Sequence, residues 1–198
     1  MIEAAALGVG LGIVTGLPLG VINVAIVQAA TAGRRTFALG VGLGGALADS
    51  AHAALAFLGL AQLVTRRPDL TRVLAILAAL VLVAFAILTW RRREPGRVRG
   101  PRDGGLVVGF GAGIALTLPN PAALAAWVTV AASLWPAATT AEAITLALGV
   151  GVGSAAWFTL LGRLVRRVPA DHAALRFIPR VAVLAFLGFA IVAIVRAM

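Results

Sequence analysis

Long apolar runs separated by short basic connections dominate the chain. Six can be drawn, approximately Ile2–Ala32, Phe37–Thr65, Leu70–Trp90, Gly105–Trp135, Ala141–Gly162 and Phe177–Val195. An α-helix needs roughly 20 predominantly apolar residues to cross a bilayer, and each run supplies about that many. The first, second and fourth are longer than a straight span requires, so tilt, a kink or a broken helix must absorb the excess. The pattern predicts an all-α integral membrane protein with six transmembrane helices.

The first run contains a sequence that returns. Gly8-Val9-Gly10-Leu11-Gly12-Ile13-Val14-Thr15-Gly16-Leu17-Pro18 recurs 101 positions later as Gly109-Phe110-Gly111-Ala112-Gly113-Ile114-Ala115-Leu116-Thr117-Leu118-Pro119. Both copies place a proline deep in an apolar run. Proline removes a backbone donor and clashes with the preceding turn, so the first and fourth helices are expected to be broken or kinked there. In the first copy, carbonyls near Val14 lose their partner. The second break is stronger, because Pro119-Asn120-Pro121 deletes two donors within three residues. The glycines also recur every fourth residue: Gly8, Gly12, Gly16 and Gly20; Gly40 and Gly44; Gly109 and Gly113; Gly149 and Gly153. Such faces let helix backbones approach closely in lipid.

The connections alternate in charge. Arg34 and Arg35 lie in the first, Arg91, Arg92, Arg93, Arg97, Arg99 and Arg102 in the third, and Arg163, Arg166, Arg167 and Arg176 in the fifth. The second holds Arg66, Arg67 and Arg72 beside Asp69, and the fourth has no arginine. Positive loops stay in the cytoplasm, which places the odd loops there and both termini outside. The chain then reads as one membrane domain over residues 1–198. It divides into repeat 1 at 1–90, a basic, glycine- and proline-rich cytoplasmic linker at 91–104, and repeat 2 at 105–198. Three spans per half make the repeats inverted, an architecture that lets one site face each side of the membrane in turn.

Composition narrows the chemistry. The 198 residues are 61% hydrophobic and only 12% charged, half the charged share of ordinary soluble domains, and the mean hydropathy is +1.03. All 17 basic residues are arginine and lie outside or at the ends of the apolar runs, so the net charge of +10 reads as membrane orientation and lipid contact rather than nucleic-acid binding. There is no cysteine, and the two histidines have no metal-ligand spacing. No metal or other cofactor is expected, and no nucleophile–base pair suggests an enzyme. Gly40-Val41-Gly42-Leu43-Gly44-Gly45 matches a dinucleotide-binding pattern without the strand and acid which that motif needs. Met1-Ile2-Glu3 lacks the basic start of a signal peptide, and this end is read as a retained membrane segment.

A few polar residues interrupt the apolar runs. The helices that begin after the breaks would present free amides and a positive dipole end to a carboxylate. The substrate-binding candidates are therefore Pro18, Gly20, Asn23, Asn120 and Pro121, where the asparagines could bond a ligand or re-satisfy the opened backbone. Asp49 is the one acid in the middle of an apolar run. Burial there costs about 2.5–3.5 kcal/mol on insertion scales, which marks it for function as a proton-coupling residue. His52, one turn on, is a relay candidate. The competing reading makes Asp49 a structural residue tied to nearby backbone or hydroxyls, Ser50 among them. Gln28, Thr117, Thr129, Ser154 and Trp157 are lesser candidates to line a cavity.

These residues resemble the LysE/RhtB superfamily of bacterial amino-acid exporters over nearly the whole chain. Pro18 and Asn23 resemble its opening G-P-x-N or P-G-P motif, and Gly33-Arg34-Arg35 the basic turn that follows. Ala48-Asp49 stands where Gly-Asp is common. Thr117-Leu118-Pro119-Asn120-Pro121 is similar to its L-x-N-P motif, and Ser154-Ala155-Ala156-Trp157-Phe158 to its small-small-Trp segment. The chain departs at Pro18-Leu19-Gly20, which lacks a second proline, at Ala48, and at Ala122, where lysine is usual. The resemblance implies proton-driven export of an amino acid or similar small amine-carboxylate across the bacterial cytoplasmic membrane. The partners are then the small-molecule substrate, protons and membrane lipids, with a homodimer allowed. A divalent metal-ion exporter and a non-transport membrane scaffold are the alternatives.

Overall fold

A computed structural model describes residues 1–17, 20–59, 67–91, 104–135, 138–165, 167 and 177–195. Among them lie eight helices and no strand: α1 (Ile2–Gly16), α2 (Val21–Thr31), α3 (Arg35–Phe57), α4 (Pro68–Arg91), α5 (Gly105–Thr117), α6 (Pro121–Leu134), α7 (Thr140–Val165) and α8 (Ile178–Val195). Among the described residues each apolar run holds one helix or, in the first and fourth, two. Of the described helices α7 alone is long and apolar enough to cross a membrane by itself. α1 and α2 meet that criterion together, as a pair bent by 69°. Pro18, on which the expected first break rests, lies outside the described residues with Leu19, as does most of the basic linker.

Large apolar side chains are left bare around the outside. On α7, Leu148, Val152 and Leu160 are exposed, while Val150, Gly153 and Ser154 on the opposite face are buried. On α8, Val181, Leu184 and Ile191 are likewise exposed. An aqueous surface rarely carries contiguous apolar area of this extent, and a lipid-facing one requires it.

The turn from α2 to α3 shows how the chain reverses. Gly33 takes φ +76°, a left-handed conformation that glycine adopts without a Cβ penalty. The Arg34 amide then reaches back 2.9 Å to the Ala29 carbonyl, closing the end of α2. Arg34 also donates to Gln28 Oε1 at 3.3 Å and lies 4.2 Å over the Phe37 ring. The basic turn is therefore fixed on both flanking helices.

Glycine determines how the long helices meet. A Cβ added at Gly8 would strike the Leu146 carbonyl, and one at Gly12 the Val150 carbonyl, with Ser154 N at 2.8 Å. In the other half a Cβ at Gly109 would strike the Phe37 carbonyl, and one at Gly113 the Val41 carbonyl, with Gly45 N at 2.7 Å. α1 thus runs parallel to α7, and α5 parallel to α3, backbone against backbone. The two contacts share one register: Leu146, Val150 and Ser154 lie 109 positions after Phe37, Val41 and Gly45.

α3 and α7 are antiparallel at the centre. Gly42 packs on Phe158, while Ser50 Oγ donates to the Ala147 carbonyl at 2.7 Å. It follows that α1 and α5, which carry the two copies of the glycine motif, run in opposite directions. The half-helices anchor opposite ends of this centre. Ile22, Ala25 and Ile26 of α2 pack with Phe37, Val41 and Phe158. Leu124 and Trp127 of α6 pack with Ala53, Phe57, Leu146 and Val150. α4 packs on α8 to one side, joining the α2 cluster through Leu82 and Val183.

Candidate functional site

Asn23, Asp49, Ser154 and Trp157 gather where α1, α2, α3 and α7 meet. Asn23, in the first turn of α2, is 3% exposed. Its Nδ2 donates to the Gly16 carbonyl at 2.7 Å. Its Oδ1 accepts a hydrogen bond from Trp157 Nε1 at 3.2 Å. Asn23 therefore ties the last turn of α1, the start of α2 and the middle of α7 together through one amide. Trp157 also fills the space beside Gly16, where a Cβ would lie 2.7 Å from the indole Cδ1. Upstream, the Leu17 amide reaches both Ile13 O (3.2 Å) and Val14 O (3.4 Å), so the Val14 carbonyl is not left bare.

Asp49 faces α7. The Ser154 hydroxyl lies 3.0 Å from Asp49 Oδ2 and 3.3 Å from the Gly12 carbonyl of α1. Ser50, the hydroxyl nearest Asp49 in sequence, turns away to Ala147. Ser154 is completely buried, at the position where the α7 glycine face meets α1. The glycine face foreshadows this role: Gly149 and Gly153 mark the side of α7 that meets another backbone, and Ser154 adjoins that side.

His52 is 2% exposed. Its contact is with the second break: Nε2 lies 3.1 Å from the Leu118 carbonyl. A carbonyl can only accept, so Nε2 carries the proton and Nδ1 is the bare acceptor. Nδ1 and Thr117 Oγ1, also at this break, are buried without a hydrogen-bond partner. Both breaks are thus held by a side-chain N–H donated to a carbonyl of the ended helix, from Asn23 at Gly16 and from His52 at Leu118.

The two helix starts differ. α6 begins with Asn120 as its cap: Asn120 Oδ1 accepts from the Ala123 amide at 3.4 Å, and Pro121 occupies the first helical position, where no amide is missed. α2 begins at Gly20 with extended backbone (φ −86°, ψ 175°) and no side-chain cap. Gly20, Asn23 and Trp157 are brought to one place, and Asp49 with Ser154 to a second on the same α1–α7 contact. Asn120, Pro121 and His52 belong to the second break, and Pro18 lies outside the described residues.

The composition and the apolar side chains left on the outer faces describe a membrane protein, and a comparison with known families agrees. The family model described as LysE type translocator matches residues 13–197. No curated protein and no solved structure matches the chain. The matched region takes in the end of the first glycine motif, the whole of the second, both breaks, Asp49 and Ser154, and its members are transporters of small molecules. The chain belongs to the LysE type translocator family and is an integral membrane transport protein.

Proposed function

We propose that the protein is a secondary active exporter of amino acids or related small amine-carboxylates, working by proton antiport. It would span the bacterial cytoplasmic membrane six times, as two inverted three-helix halves joined by the basic segment 91–104. Both termini would lie outside and the basic loops inside. The opposed directions of α1 and α5 and their matched glycine contacts support that arrangement, and a homodimer is compatible with it.

The observation that carries the reading is the placement of Asp49. It is an acid held by Ser154 between α3 and α7, on the contact that leads along α1 to the first break. An acid in an apolar span is costly unless it serves a pathway or a proton relay. The start of α2 at Gly20, which has no side-chain cap, would turn a positive dipole end toward the substrate carboxylate, with Pro18 and Asn23 shaping that seat. At the second break, Asn120 and Pro121 would line the opposite side of the path, and His52 would act with Asp49. In alternating access, Asp49 would exchange its proton for the substrate amine as the α1–α7 and α3–α5 contacts shift.

The test is gradient-driven flux. Purified protein in liposomes with an imposed pH gradient should export a labelled amino acid, chosen by challenging overexpressing cells with dipeptides and finding which free amino acid appears outside faster. Asp49→Asn should insert normally and lose the driven flux. Full driven flux in that variant would refute the mechanism, and flux of divalent cations instead of amino acids would refute the substrate class.

A further inference from the structure

We infer that Ser154 is a positioning residue that reports the protonation state of Asp49 to helix α1. The inference rests on the proposed role of Asp49 as the proton site, and it adds the route by which a proton there would alter the gate.

The argument is one of counting protons. A serine hydroxyl has one hydrogen to donate and can accept at its oxygen. Ser154 Oγ lies within hydrogen-bond distance of two oxygens, Asp49 Oδ2 at 3.0 Å and Gly12 O at 3.3 Å. Neither an ionised carboxylate nor a carbonyl can donate. While Asp49 is ionised, the single hydrogen goes to the carboxylate, the stronger acceptor, and Gly12 O keeps only its own helix's bond. Once Asp49 is protonated, its O–H donates to Ser154 Oγ and the serine hydrogen is released to Gly12 O. Protonation therefore makes a chain, Asp49 to Ser154 to Gly12, that ties α3 and α7 to α1; deprotonation cuts its last link.

The position gives that link leverage. Gly12 sits between Gly8 and Gly16 on the face that packs on α7. In lipid such a contact has no hydrophobic force behind it, so a hydrogen bond made or lost across it shifts how firmly the helices hold. One turn further along, the Gly16 carbonyl is the one held by Asn23 at the start of α2.

Few other groups can titrate nearby. Among the described residues α2, α5 and α6 carry no ionisable side chain. α7 brings Glu142 and Arg163, which are 12 and 9 positions from Ser154, and α1 brings Glu3, nine positions from Gly12. On α3 itself, Arg35 is 14 positions from Asp49, and His52 is one turn away with its contact directed to Leu118.

The test needs no substrate. The chain has no cysteine, so Val14→Cys on α1 and Val152→Cys on α7, both at exposed positions, can carry a unique pair of spin labels. Distance distributions would be measured in liposomes across pH in the otherwise native chain. The α1–α7 distribution should narrow as pH falls. In Ser154→Ala it should stay broad at every pH. Asp49→Asn should stay narrow at every pH, because an asparagine amide donates to Ser154 Oγ as the protonated acid does. The double variant should behave like Ser154→Ala, since Ser154 lies downstream.

A pH response in Ser154→Ala equal to that of the native residue would overturn the inference, as would a double variant resembling Asp49→Asn. If driven efflux survives in Asp49→Asn, the transport mechanism fails, whatever the labels show. Should efflux be lost in that variant while the label distances ignore Ser154, the proton site stands and the relay does not. A misfolded Ser154→Ala is recognised by its elution and thermal midpoint. Ser154→Thr, which keeps the hydroxyl and adds no thiol, should then restore part of the narrowing; its failure to do so in a folded protein overturns the inference.

Discussion

A methyl group added to one or the other of two neighbouring glycines in α1 should have opposite effects. At Gly10 a Cβ meets nothing within 4 Å. At Gly12 it strikes the Val150 carbonyl, with Ser154 N at 2.8 Å and Gly153 Cα at 3.0 Å. Bringing Ser154 N alone out to ordinary contact requires α1 and α7 to separate by about 0.7 Å. A gap of that size forfeits roughly a quarter to a half of the dispersion energy of the atoms on either side. Overpacking of this kind costs about 1–3 kcal/mol. Both substitutions gain about 0.8–1 kcal/mol of helix propensity, so the difference between them isolates the clash. Gly10→Ala should therefore melt at or above the parent protein in detergent, and Gly12→Ala below Gly10→Ala by roughly 2–4 °C per kcal/mol of clash. The second half offers a replicate, because Gly111 is open and Gly113 meets Val41 O and Gly45 N. Equal midpoints within both pairs would mean that α1 and α5 are rotated away from the faces described above.

The remaining predictions concern the two breaks. Asn23→Leu leaves the Gly16 carbonyl and the Trp157 N–H without their partner and should cost about 1–3 kcal/mol in thermal unfolding; no loss would argue that neither bond is made. Asn120→Ala removes the cap of α6 and should cost about 0.5–2 kcal/mol. Asn120→Asp keeps an acceptor oxygen and should hold helicity by circular dichroism near the parent value, whereas equal loss in both would rule out capping. His52→Ala should destabilise through the bared Leu118 carbonyl, while His52→Gln, which keeps an N–H donor, recovers most of the stability. If His52→Gln melts normally yet loses pH-dependent flux, His52 handles protons as well as holding the break.

Much of this fold was legible in one dimension because lipid imposes simple constraints. Helix length is fixed by bilayer thickness, and close approach is marked by glycine every fourth residue, so the runs and their contact faces can both be read from the pattern. Gly8, Gly12, Gly109 and Gly113 are indeed the residues at which the backbones meet. What the pattern does not encode is which face meets which. Ser50 lies beside Asp49 in sequence, but successive helical residues point about 100° apart, and Ser50 bonds α7 at Ala147 while the hydroxyl that reaches Asp49 comes from Ser154. One-turn spacing puts His52 beside Asp49 on α3, but spacing gives no sign of the contact its ring makes, with the Leu118 carbonyl in a distant part of the chain. Asn120 could be read from sequence as a ligand or as a cap, and its side chain is seen capping α6.

The matched contacts also explain where the polar groups stand. With α5 placed on α1 by the 101-residue offset, Asn23 corresponds to Leu124; with α7 placed on α3 by the 109-residue register of the glycine contacts, Asp49 corresponds to Phe158 and Ser154 to Gly45. Leu124 and Phe158 are ordinary core residues, and Gly45 is a point of close approach. The shared positions thus build the frame, and the three substitutions from it build the polar site. All three converge on the α1–α7 contact and the start of α2, whereas the glycine positions of the α3–α5 contact meet only backbone and its polar groups, His52 and Thr117, stand at the end beside the second break. Two identical halves would offer a ligand two equal seats and a proton two equal sites, with nothing to order one relative to the other. A frame that repeats while its polar side chains do not can move symmetrically and still bind on one side. Restoring the repeat, by Ser154→Gly or Asn23→Leu, should therefore spare the fold's architecture while erasing what distinguishes the α1–α7 contact from its counterpart.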